Sequence, residues 1–112
     1  MAPLAIFVQD GNAIDYVPTT DVAAGDVVVQ GELVGVTRMP IKASELGSLA
    51  VAGVFDVAKA TGAGTAIAVG TNVYWNATAN QATATATGNK LIGKSIKAST
   101  VDDATVRIRL FQ

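Results

Sequence analysis

Strict alternation over Thr105-Val106-Arg107-Ile108-Arg109-Leu110 is the feature that most constrains this chain. A period of two puts Val106, Ile108 and Leu110 on one face of a strand and both arginines on the other. The rest of the chain repeats the theme in shorter pieces. Valine, threonine and isoleucine recur in brief runs, and glycine or Asn/Asp clusters punctuate them. No long segment carries a 3.6-residue period.

Read in order, Ile6-Phe7-Val8 is a first extended piece. Val27-Val28-Val29 follows the turn chemistry of Ala24-Gly25-Asp26, and Leu33-Val34-Gly35-Val36 follows Gly31. Between Leu49 and Val57, partial alternation puts Val51, Gly53, Phe55 and Val57 on one face. Asn72-Val73-Tyr74-Trp75 is a strand with Val73 and Trp75 on one side and Tyr74 on the other. A polar turn over residues 76–80 leads to a return strand from Gln81 to Thr87. Leu91-Ile92-Gly93 with Ser95-Ile96 gives one more strand. Lys42 to Leu49 is the one place for a turn or two of helix, with Ser44 as N-cap. The pattern predicts an all-β fold: a small, single-domain, compact β-barrel or sandwich with little helix. It divides into an extended N-terminal arm over residues 1–12 and one β domain over 13–112.

Composition narrows the chemistry. The chain has 112 residues, half of them hydrophobic, which suits one domain with a core of its own. Net charge is -1, so no global field draws it to nucleic acid or an anionic membrane. There is no cysteine and no histidine. Disulfides, Cys/His zinc sites and histidine-assisted nucleophiles are therefore excluded. Met1-Ala2-Pro3-Leu4-Ala5-Ile6-Phe7-Val8 has no basic residue, and its apolar run ends at Gln9-Asp10-Gly11. A signal peptide or membrane span is not expected. The expectation is synthesis in a bacterial cytoplasm, with no enzyme activity, no cofactor and no metal.

One motif points elsewhere. Gly88-Asn89-Lys90-Leu91-Ile92-Gly93-Lys94-Ser95 spells the phosphate-binding pattern G-x-x-x-x-G-K-[ST]. In that loop Gly88 and Gly93 would let backbone N–H groups wrap a phosphate, Lys94 would reach the terminal phosphates, and the Ser95 hydroxyl would bind magnesium. The pattern needs a buried strand before it and a helix after it. Ala82-Thr83-Ala84-Thr85-Ala86-Thr87 makes a poor buried strand. Ile96-Lys97-Ala98-Ser99-Thr100-Val101-Asp102-Asp103 has no amphipathic helical pattern. The match is read as accidental spelling on a strand, with no nucleotide cofactor.

Weaker signals have ordinary readings. Asn76-Ala77-Thr78 spells a glycosylation sequon but reads as a polar turn. Asp102-Asp103 reads as a solvated turn rather than a catalytic pair. Trp75 and Tyr74 read as packing residues, because no basic patch surrounds them for base stacking. Arg107 and Arg109 share one strand face, either solvated or in contact with an acidic neighbour.

Several blocks together resemble a known family. Phe7-Val8-Gln9-Asp10-Gly11 is followed by Ala24-Gly25-Asp26-Val27-Val28 and Leu33-Val34-Gly35-Val36. Next come Gly53-Val54-Phe55-Asp56-Val57-Ala58-Lys59, Val69-Gly70-Thr71-Asn72-Val73-Tyr74-Trp75, Leu91-Ile92-Gly93 and Ala104-Thr105-Val106-Arg107-Ile108-Arg109-Leu110. Their order and spacing resemble the capsid cement, or head decoration, proteins of tailed phages. Some members carry a recombinase label, which these residues support only through the spelling at 88–95.

The resemblance implies a virion protein on the outer surface of the capsid, bound to the major capsid protein and self-associated as a homotrimer. A clip touching several subunits turns later contacts into intramolecular ones and gains avidity. The expected capsid contacts are Ala2, Pro3, Leu4, Ala5, Ile6 and Phe7 in the arm, with Arg107 and Arg109 on the last strand. The alternatives are a head-fibre base or other virion adaptor and, more distantly, a nucleotide-binding recombinase-like protein using Gly88 to Ser95. These readings separate in a thermal melt. ATP with magnesium is expected to leave the unfolding midpoint unchanged, because a ligand of the native state must raise it. A rise that disappears in Lys94→Ala would identify a nucleotide site.

Overall fold

The computed structural model describes residues 4–111, and these form strands, turns and loops without helix. The strands make two antiparallel sheets, consistent with a small β-sandwich. The smaller sheet holds β1 (Ala13–Tyr16), β2 (Val27–Gln30), β3 (Leu33–Thr37) and β4 (Gly47–Ala50), in the order β1-β4-β3-β2. The larger holds β5 (Gly53–Ala58), β6 (Asn72–Asn76), β7 (Gln81–Thr83), β8 (Lys90–Ser95) and β9 (Thr105–Leu110), in the order β5-β9-β8-β6-β7.

Local chemistry sets the turns. β2 and β3 pair as a hairpin from Val27↔Val36 to Gln30↔Leu33, leaving Gly31 and Glu32 as a two-residue loop. Gly31 takes a φ of 62°, which the first position of such a tight turn demands and a side chain disfavours. Between β6 and β7, the Asn76 carboxamide oxygen accepts from the backbone N–H groups of Thr78 and Ala79, both at 3.1 Å. This side-chain turn closes the hairpin, so the sequon is a structural element. At the end of β3 the buried Thr37 hydroxyl donates to the Ala23 carbonyl at 2.6 Å and accepts from Asp26 N–H at 2.9 Å. It fastens the turn that precedes β2.

The larger sheet supplies most of the core. Val57, Val73, Trp75, Ala82, Ile92, Val106, Ile108 and Leu110 pack together with Ile67 from a loop, and Val34 and Val36 of β3 cover them. On the other face of the smaller sheet, Leu49 lies over Gly35, where a Cβ would collide with its side chain. The larger sheet curls until its edge strands approach, joined by a parallel bridge between Lys59 and Ala82. The Lys59 ammonium is buried there and donates to the carbonyls of Ala60 at 2.8 Å and Asp103 at 2.9 Å. A buried charge needs such partners.

Four expectations change. The segment from Leu49 to Val57 is two strands in different sheets: the chain leaves β4 at Ala50 and enters β5 at Gly53, where φ is 132°. Lys42 to Leu49 contains no helical turn. Ser44 has a φ of 65° and its N–H donates to the Pro18 carbonyl, while Ala43 N–H donates to the Asp21 carboxylate, so tertiary bonds fix a loop. Ile6 to Val8 forms no strand; the first strand is β1, a short piece whose alternation is obscured by Asp15. The return strand is also shorter than its Ala-Thr pattern, ending at Thr83.

β8 and β9 meet closely at Gly93. A Cβ at Gly93 would run into the carbonyl oxygen of Arg109. Both atoms belong to backbones held in register by Gly93↔Leu110 and Lys94↔Arg109, so neither can yield cheaply. Gly93→Ala is expected to lower unfolding free energy by about 2–3 kcal/mol, the upper range for overpacking. Gly11→Ala, where a Cβ meets open space, should leave the urea midpoint unchanged.

Candidate functional site

Gly88 to Ser95 spans a turn and β8. Gly88 has a φ of 76° in the turn after β7, and the Asn89 side chain donates to the Thr85 carbonyl at 3.0 Å. From Lys90 onward the backbone is in the antiparallel ladder between β6 and β9. The last three residues of the motif each have a place in that ladder. Gly93 allows the close approach to β9. Lys94 is exposed on the outer face. Ser95 is buried, and its hydroxyl donates to the Ala68 carbonyl at 2.5 Å and accepts from Thr71 N–H at 3.1 Å. The hydroxyl thus holds the loop before β6. A phosphate cradle has another form, a loop opening onto a helix N-terminus.

A bulge decides which way Lys94 points. Val73 faces Gly93 and the next residue, Tyr74, faces Leu91, so β8 carries an extra residue at Ile92. Ile92 is buried in the core, while Lys94, two residues on, is exposed. Without the bulge, alternation would put both on one face.

The outer face of the larger sheet carries the charged residues. Arg107 on β9 lies opposite Asp56 on β5 and grips it with two bonds, Nε to Oδ1 at 2.9 Å and Nη2 to Oδ2 at 3.1 Å. This hydrogen bonding holds the Asp56 carboxyl below the usual carboxylate range and raises Arg107, with the Lys97 charge adding to the effect on Asp56. A depressed carboxyl favours the folded state above its unfolded pKa, and that contribution is lost as pH falls through the folded value. Both side chains are about half exposed, so the pair's part in stability is small.

Arg109 differs. Its row across the sheet runs Val54–Arg109–Lys94–Asn72. Arg109 and Lys94 are direct cross-strand partners of like charge, and neither has an ion-pair partner among the described residues. Both sit over one ring: the Lys94 ammonium is 5.7 Å and the Arg109 guanidinium 5.8 Å from the centroid of Phe111. Phe111 is held there by its N–H, which donates to the Ile92 carbonyl at 3.0 Å.

Of the expected contact residues, Leu4, Ala5, Ile6, Phe7, Arg107 and Arg109 are exposed. Ala2 and Pro3 lie outside the described residues. Leu4, Ile6, Phe7 and Val8 form one apolar run, far from the row containing Arg109 in sequence. Sequence reasoning missed Phe111 and assigned Lys94 no surface role. The spacing of Arg109 and Phe111 was a usable signal; the bulge that turns Lys94 outward left none.

The remaining candidates are structural. Trp75 is buried in the core. The Asp103 carboxylate accepts from Thr100 N–H at 2.7 Å, closing the turn before β9. Among the described residues, no group of three or more acidic, histidine or cysteine side chains is placed to hold a metal ion.

No curated protein and no solved structure matches the chain. A family model does, over residues 8–110, which spans β1 through β9, and its description is phage cement protein. The chain belongs to the phage cement protein family.

Proposed function

We propose that this protein is a head-decoration clip: it binds the outer surface of the phage capsid, bridges neighbouring major capsid subunits and stabilises the shell without enzymatic chemistry. Family membership supports a capsid role. The observation that carries the clip is the exposed run Leu4, Ile6, Phe7 and Val8, each at least 75% exposed. Four large apolar side chains in five residues, left in solvent, mark an interaction segment rather than a scattered surface. They precede β1, which is an edge strand of the smaller sheet. In this reading residues 1–12 are an arm that lies along a capsid element by strand addition, and 13–112 are the one β domain that carries it. The backbone ladders make the domain a stiff support, so little is lost to ordering on binding. Self-association as a homotrimer would place three arms around one axis and multiply their hold by avidity.

The test is deletion of residues 1–6. The truncated protein is expected to bind expanded, undecorated capsids at least about tenfold more weakly, a change of about 1.4 kcal/mol. Its urea midpoint should equal that of the full chain, because Leu4, Ala5 and Ile6, the described residues of the segment, are exposed. Equal capsid affinity would remove the arm from the mechanism, and failure of the full chain to bind capsids would remove the clip.

A further inference from the structure

We infer that the outer face of the larger sheet, centred on Lys94, Arg109 and Phe111, docks a carboxylate-bearing segment of the capsid surface. The inference rests on the clip reading and supplies the chemistry of a second contact, distinct from the apolar arm.

Like charges directly opposite each other on antiparallel strands repel and destabilise the pair. Lys94 and Arg109 stand in that relation, and no acid among the described residues lies within ion-pair distance of either. One row away the same sheet shows the ordinary solution: Asp56 opposite Arg107, with two hydrogen bonds. The chain thus neutralises one arginine of β9 and leaves the other beside a second cation. The ring of Phe111 lies near both charges, where its face offsets part of the repulsion and limits their motion. Val54, next in the row and 57% exposed, gives the cluster an apolar border.

Charge complementarity sets the occupant. Two adjacent donors over an aromatic ring, bordered by valine, suit one or two carboxylates on an amphipathic protein segment. Nucleic acid fits less well. Phosphate-backbone binding draws on many cations along a track, whereas this cluster has two, in a chain of net charge -1 with Asp56 one row away. Arg107 contributes less than its position in the sequence suggests, because Asp56 already occupies its fork.

The experiment measures binding to expanded capsids from which decoration has been removed, between about 50 and 300 mM salt, a range that shortens the screening length about twofold. Lys94→Glu and Arg109→Glu are each expected to weaken binding by about tenfold or more and to flatten its salt dependence, with Phe111→Leu weakening it less. Lys42→Glu, on an exposed loop, makes the same change of net charge and should bind as the unaltered protein does. The thermal midpoints of Lys94→Glu and Arg109→Glu should stay level or rise, since each places opposite charges across the strands. Unchanged capsid binding by both variants would overturn the inference and leave the clip standing. Equal weakening by Lys42→Glu would show a net-charge effect and also overturn it. Binding of a DNA oligonucleotide that is lost in the same two variants would assign the face to nucleic acid instead. No binding of the unaltered protein to capsids would end both readings.

Discussion

The backbones of β8 and β9 come together at Gly93 so closely that no side chain fits against the Arg109 carbonyl. Much of the molecule depends on that approach. It sets the pairs Gly93↔Leu110, Lys94↔Arg109 and Ser95↔Ile108. Through them it seats Ile108 and Leu110 in the core, with almost no exposure. It also leaves β8 to accommodate Ile92 as a bulge, and the Ile92 carbonyl then receives the N–H of Phe111. One close contact therefore shapes the interior and the charged exterior together. A shift of one residue in this register would reverse every side chain of β9.

The fold was legible where alternation is strict and uninterrupted. Thr105 to Leu110 reads directly from its period, and Val73 and Trp75 fall on the core side as their spacing requires. It was not legible where the chain changes sheet. Leu49 to Val57 looks continuous because Val51 and Phe55 share a parity across the break. Only the packing of two sheets shows that residues 51 and 52 pass between them. Lys42 to Leu49 failed for another reason. Its composition allows a helical turn, but bonds from Pro18 and Asp21, more than twenty residues upstream, hold it as a loop. Local propensity carries no information about such partners.

The charged face shows the same limits. Arg107 and Arg109 look equivalent in sequence, two apart on one strand. They differ because Asp56 stands opposite one and Lys94 opposite the other. Pairing with residues 51 and 15 positions away decides this, and no spacing within β9 encodes it. Lys94 was further obscured by its own motif. The spelling Gly-Lys-Ser draws attention to phosphate chemistry, yet in the ladder each residue meets a different demand: close approach at Gly93, outward charge at Lys94, and a loop-fastening hydroxyl at Ser95.

On the proposed reading, rigidity and adhesion fall to different parts of this molecule. The elements that resist deformation are internal: the β8–β9 contact, the buried Lys59 ammonium holding two loop carbonyls, and Thr37 fastening the turn before β2. The groups proposed for contact are external and of two kinds. Leu4, Ile6, Phe7 and Val8 offer apolar area, which strengthens attachment with little dependence on salt. Lys94 and Arg109 offer charge, which gives orientation and speed of encounter more than affinity. A clip that must find one site among many on a repetitive shell needs both. Apolar area alone would adhere in several registers, and two exposed charges alone would release in physiological salt. The apolar run precedes an edge strand of the smaller sheet and the two cations lie on the larger, so on the proposed reading each contact restrains a rotation the other allows. That division accounts for two cations with no acid beside them among the described residues, in a domain with so much internal bonding.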